Sequence, residues 1–211
     1  MRVLVVTVIY AAILSINHSH LRWTAHFRFR KWLRPAIRLF PYLLGLCITG
    51  SPKGSNSFAG FLAAIICAVL FSLVQYKSMV MILAPGSPEL YPPYKSRVEK
   101  YRQAGFQVLA GPFQELFYRG SLVVVLQELL PAYLIAIISS LLFVLEHVVQ
   151  FESGRKWRIS DYCLQALVGL VASIIVLYGG TLGAACFFHF LVNLPHTILY
   201  FKIPYLKDQK C

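Results

Sequence analysis

Six side chains able to move a proton or hold a developing charge lie where the surrounding sequence is apolar: Gln114, Glu115, Arg119, His147, His189 and Asn193. Glu115 and Arg119 are four apart. On a helix they share a face and can pair, which offsets much of the cost of burying both. Gln114 projects about 100° away from Glu115 on the same helix. Phe143 stands four before His147, with Glu146 beside the histidine, and His189 and Asn193 repeat that spacing. His196 falls seven after His189 and on its face, although Pro195 predicts a distorted helix there. A charge near the bilayer centre costs about 3 kcal/mol or more, so such groups are expected to face a protein interior. Carboxylate and imidazole suit general acid and base work, and His and Asn donors suit a developing oxyanion.

The elements that must position these groups are apolar runs. The sequence predicts an all-α polytopic membrane protein with about seven spans, over residues 3–16, 37–49, 58–75, 106–129, 132–151, 162–178 and 181–201. The polar groups fall on the fourth, fifth and seventh. At about 1.5 Å rise per residue, Glu115, His147 and His189 reach a common zone in the cytoplasmic half of the bilayer. The run from Pro85 to Pro93 breaks helix structure and marks the clearest boundary. Four parts follow: N-terminal helices with a basic loop over 1–84, a Pro-rich linker with an interfacial amphipathic helix over 85–105, a core over 106–201, and a tail over 202–211.

Composition agrees with a membrane protein. Of 211 residues, 58% are hydrophobic and only 13% charged, and mean hydropathy is +0.65. The net charge of +12 reports topology rather than nucleic acid. Segments 17–38, 77–105, 151–161 and 202–211 hold 17 of the 20 Lys and Arg, leaving Arg2 and Lys53 opposite and Arg119 within a span. Positive loops face the cytoplasm, so the N-terminus is expected outside and the C-terminus inside, with a bacterial plasma membrane as the expected location. The basic segment 17–38, interleaved with aromatics, can also attract anionic lipid. Cys47, Cys67, Cys163, Cys186 and Cys211 show no CxxC pairing, and neither disulfides nor a zinc cluster is expected of them.

Three motifs resemble a known family, the CPBP intramembrane proteases, also called the CAAX protease and bacteriocin-processing or Abi family. The family's EExxxR is similar to Gln114-Glu115-xxx-Arg119, its FxxxH to Phe143-xxx-His147, and its HxxxN to His189-xxx-Asn193. The resemblance spans about Phe106 to Phe201, and the first hundred residues contribute only general helix character. It implies a four-helix protease-like core that hydrolyses a peptide bond in a membrane-associated or C-terminally anchored peptide or protein. In the family scheme a glutamate and His147 activate water, His189 and Asn193 hold the oxyanion, and Glu115 with Arg119 brace the site.

The glutamate that the scheme needs is the first of the motif's pair, and Gln114 stands there. An amide cannot serve as a general base. Three readings stay open: an inactivating replacement at Gln114, a carboxylate supplied by Glu115 or by Glu146 if it faces the cavity, or a binding or immunity protein that does not cut. No cofactor is expected; the alternative is Zn2+ on Glu115, His147 and His189, without the HExxH spacing. A transporter or proton-coupled channel is a third class, with no inverted repeat to support it.

Overall fold

The computed structural model describes residues 1–24, 30–52, 58–86, 96–149 and 158–203. Among these the regular elements are helical: α1 (Arg2–Thr24), α2 (Arg30–Thr49), α3 (Phe58–Val74), α4 (Tyr76–Leu83), α5 (Arg97–Glu115), a π segment (Leu116–Ser121), α6 (Leu122–Leu126), α7 (Ala132–Val149), α8 (Ile159–Gly179) and α9 (Leu182–Lys202). Tyr94, the loop residues Arg155 and Lys156, the turn at Lys53, most of the Pro-rich linker and most of the tail lie outside the described residues.

The protein is an integral membrane protein, all-helical over its described residues, with helices that differ in length and hydropathy. Three helices, α7, α8 and α9, are long and apolar enough to cross a bilayer alone, and the apolar parts of α1, α2 and α3 are shorter. The expected fourth span is divided among α5, the π segment and α6. Its polar residues lower its hydropathy, and they are tolerated because neighbouring helices enclose them: Phe117, Tyr118, Arg119, Gly120 and Ser121 are all buried. A stretch buried on every side occupies the middle of the bundle.

Local sequence explains the helix limits. Ser96 caps α5, its side chain accepting from the Glu99 backbone N–H at 3.2 Å, and Glu99 adds a negative charge to the first turn. The amphipathic segment and the expected span therefore form one helix through Gly105. At the other end of the core, Gly180 adopts φ 68° and closes α8 in the left-handed region, after which the Thr181 hydroxyl caps α9 by accepting from Ala184 N–H at 3.2 Å. A turn of that kind returns α9 directly alongside α8.

Packing follows residue size. Gly60, Ala64 and Ala68 form the buried stripe of α3, at four-residue spacing, and α3 lies against α9 and α8. Its other face presents exposed Leu62, Ile66, Leu70 and Leu73, as a lipid-facing helix requires. α7 packs on α8, α5 on α9, and α1 on α2. At the polar end of α9, Lys100 of α5 donates to the Ile203 carbonyl at 2.8 Å and Lys202 donates to the Leu83 carbonyl of α4, joining α4 and α5 to the end of α9.

Candidate active site

Glu115 ends α5 and Arg119 lies in the π segment, where the helix turn widens by about one residue. Both side chains are fully buried. Glu115 Oε2 lies 3.1 Å from Arg119 Nε, as an ion pair whose angle falls short of a hydrogen bond. Glu115 Oε1 accepts from His189 Nδ1 at 2.6 Å. The far side of the guanidinium donates from Nη2 to the Gly169 carbonyl of α8. Arg119 thus ties the π segment to α8 while Glu115 ties it to α9. The pairing expected from the four-residue spacing is present, and the carboxylate also orients His189.

Phe143 shows why an aromatic belongs four residues before His147. Its ring, fully buried, meets His147 edge-on at 4.5 Å between centroids and His189 at 5.6 Å. The Arg119 guanidinium carbon lies 5.2 Å from the same ring centroid. One phenyl ring therefore supports both imidazoles and the buried cation. His147 Nδ1 is 2.9 Å from the Phe143 carbonyl. A carbonyl only accepts, so Nδ1 carries the hydrogen, and in the neutral ring Nε2 keeps its lone pair.

These groups border a cavity of about 240 Å³, lined among others by Arg38, Gln114, His147, His189, Asn193 and His196. α9 runs unbroken through Pro195, so the distortion expected at His196 does not remove it from the cavity. Glu115 and Glu146 are absent from the lining. Glu115 is turned to Arg119 and His189, and Glu146, with no exposed surface, points into the bundle behind Gln114. The condition set for Glu146, that it face the cavity, is not met, because buried donors hold its carboxylate behind Gln114.

Two of the four donors around Glu146 come from the N-terminal helices, outside the expected core. Oε1 accepts from Asn17 Nδ2 at 3.0 Å, from Tyr42 OH at 2.5 Å and from Gln114 Nε2 at 3.0 Å. Oε2 accepts from Tyr118 OH at 2.8 Å. Asn17 is on α1 and Tyr42 on α2, so the first hundred residues supply site contacts and not general helix character alone. The opening signal was available in Asn17, a polar residue closing an apolar run.

Gly111 also escaped notice. A Cβ there would sit 2.7 Å from His189 Cδ2 and 2.8 Å from Asn193 Nδ2, so the missing side chain is what lets α9 bring these two groups against α5. Gly169 has a similar role, since a Cβ would come within 3.0 Å of Arg119 Nη2. Among the described residues, no group of three or more His, Cys, Asp or Glu gathers as a metal site.

Fold and site define a polytopic helical membrane protein with a polar cavity between its helices, lined by Gln114, His147, His189 and Asn193 together with Arg38 and His196. Residues 103–195 match the family model described as Type II CAAX prenyl endopeptidase Rce1-like. The resemblance read from the three motifs therefore holds over the segment that carries them. No curated protein and no solved structure matches the chain. The matched segment includes Gln114, Glu115, Arg119, His147, His189 and Asn193 and leaves out Asn17, Arg38 and Tyr42.

Proposed function

We propose that the chain is an intramembrane endopeptidase that hydrolyses a peptide bond in a membrane-anchored substrate. A prenylated C-terminal peptide is the first substrate to test, because the matched family is described as acting on such a group. The observation that carries this reading is that Gln114, His147, His189 and Asn193 border one cavity.

The chemistry runs through these side chains. His147 Nε2 takes a proton from water, and the resulting oxygen nucleophile attacks the peptide carbonyl carbon. As the C=O bond becomes a C–O⁻ single bond, Asn193 Nδ2 and, when its ring is doubly protonated, His189 Nε2 donate to the oxyanion. His147 then returns the proton to the departing nitrogen as the C–N bond breaks. Glu115 aims His189 and, with Arg119, acts as the brace. Loop charges support an external N-terminus and a cytoplasmic C-terminus, which puts the cavity mouth within reach of a cytoplasmic peptide.

A second reading is favoured by one specific observation: neither Glu115 nor Glu146 lines the cavity. On that reading the protein binds a peptide segment without cutting it. The purified protein in vesicles, given a fluorogenic prenylated peptide, separates the two. Endopeptidase action predicts cleavage that His147→Ala and His189→Ala each abolish. Equal cutting by parent and both variants defeats the proposal. Binding without cleavage by the parent and by Gln114→Glu alike supports the second reading, whereas cleavage gained in Gln114→Glu supports a protease site inactivated at Gln114.

A further inference from the structure

Glu146 is a fully buried carboxylate that the proposed chemistry does not use, and four donors converge on it. Hydrogen-bond logic fixes how those donors are turned. Arg38 Nε lies 3.1 Å from Asn17 Oδ1, and an arginine can only donate. The Asn17 oxygen must therefore face Arg38, which leaves its NH2 for Glu146 Oε1. Arg38, Asn17 and Glu146 then form a chain from a cation at the cavity wall to a carboxylate behind it, and the guanidinium supplies countercharge.

The same logic applies to Gln114. Its amide nitrogen lies 3.0 Å from Glu146 Oε1. An ionised carboxylate accepts and never donates, so the reverse orientation would set oxygen against oxygen. The two ends of an amide point in different directions, and Gln114 also lines the cavity beside His147. Its carbonyl oxygen is thus the end left for the cavity.

We propose that Glu146 is a positioning residue that locks the Gln114 amide with its oxygen toward the cavity, so that Gln114 Oε1 and His147 Nε2 together hold a water by its two hydrogens. The inference rests on the endopeptidase reading for its catalytic consequence, but the Glu146–Gln114 pairing stands apart from it. A water held by two acceptors presents an oxygen lone pair away from them, toward a bound carbonyl carbon. The amide then serves as an acceptor in the place where the family motif carries a carboxylate, and the charge is one residue layer further back.

The test is a reciprocal exchange in the full chain, using Glu146→Gln, Gln114→Glu and the double variant Gln114→Glu/Glu146→Gln. Thermal unfolding in detergent and cleavage of the fluorogenic prenylated peptide are read for each. Glu146→Gln frees the amide to turn and should lower kcat on the order of 10²-fold with KM little changed, as for a reacting group held loosely. Gln114→Glu sets two carboxylates together and should lower the unfolding midpoint. The double variant restores one carboxylate and one amide, so both the midpoint and kcat should recover. A brace without a positioning role predicts recovery of the midpoint while Glu146→Gln retains the parent kcat, and that result overturns the proposal. Strictly additive midpoint changes overturn it as well. Coupled midpoints with no cleavage by any form support the pairing and sink the endopeptidase reading instead.

Discussion

Replacing Gly111 by alanine adds one methyl group at a close approach of α5 and α9. The new carbon would lie 2.7 Å from His189 Cδ2 and 2.8 Å from Asn193 Nδ2, against an optimal carbon separation of about 3.5 Å or more. His189 cannot simply swing aside, because Glu115 holds its Nδ1 at 2.6 Å. The helices must separate, or both side chains must leave their positions, by about 0.8 Å. Overpacking of this kind costs about 1–3 kcal/mol, and a displacement near 1 Å of groups that act on the substrate costs on the order of 10² in rate. Gly105 provides the control on the same helix, since a Cβ there meets nothing within 4 Å. Gly105→Ala should gain up to about 1 kcal/mol from helix propensity and leave peptide cleavage unchanged. Peptide cleavage in vesicles and unfolding midpoints in detergent, measured on both variants, provide the comparison. If Gly111→Ala cleaves within twofold of the parent, the close approach of α5 and α9 does not set the position of the oxyanion donors, and that reasoning is refuted.

Two further outcomes follow from the buried layer. Arg119→Lys keeps the charge but cannot span Glu115 and the Gly169 carbonyl as a planar fork does. It should cost about 1–3 kcal/mol in detergent unfolding, the range for leaving a buried hydrogen-bonding group unsatisfied; an unchanged midpoint would remove the brace assigned to this residue. Phe143→Ala empties the space beneath both imidazoles and should cost about 3–5 kcal/mol, with Phe143→Leu recovering most of that loss and less of the activity. Equal activity in the two variants would show that ring contact does not orient His147 and His189.

The elements most legible in the sequence were those with a physical signature repeated along the chain. Apolar runs gave the positions of α3, α7, α8 and α9 to within a few residues. Four-residue spacing gave the Glu115–Arg119 pair and brought Phe143, His147, His189 and Asn193 to one cavity region. Less was legible where the outcome depended on which helix became a neighbour. Nothing in α1 or α2 alone says that Asn17 and Tyr42 will meet a carboxylate more than a hundred positions later. Glu146 could be read as cavity-facing because a helix position fixes an angle about its own axis but not the surroundings. Gly111 looked like any glycine, for close approach is a property of two helices. The widened turn after Glu115 carries no local pattern that distinguishes it from an ordinary helix.

That widened turn makes helix phase a property of the segment's length. The π segment carries about one residue more than an α-helical turn would, and each residue of an α-helix contributes about 100° of rotation. Losing a single residue between Leu116 and Ser121 would tighten the turn and rotate everything beyond it, carrying the buried face formed by Leu122, Val123 and Val125 toward the outside. The same loss in the exposed part of α3 would only shorten that helix and re-phase a surface that already faces lipid. Chain length at the centre of the bundle is therefore fixed by angle rather than by reach, and Glu115 and α6 keep their separate neighbours because one surplus residue uncouples their directions.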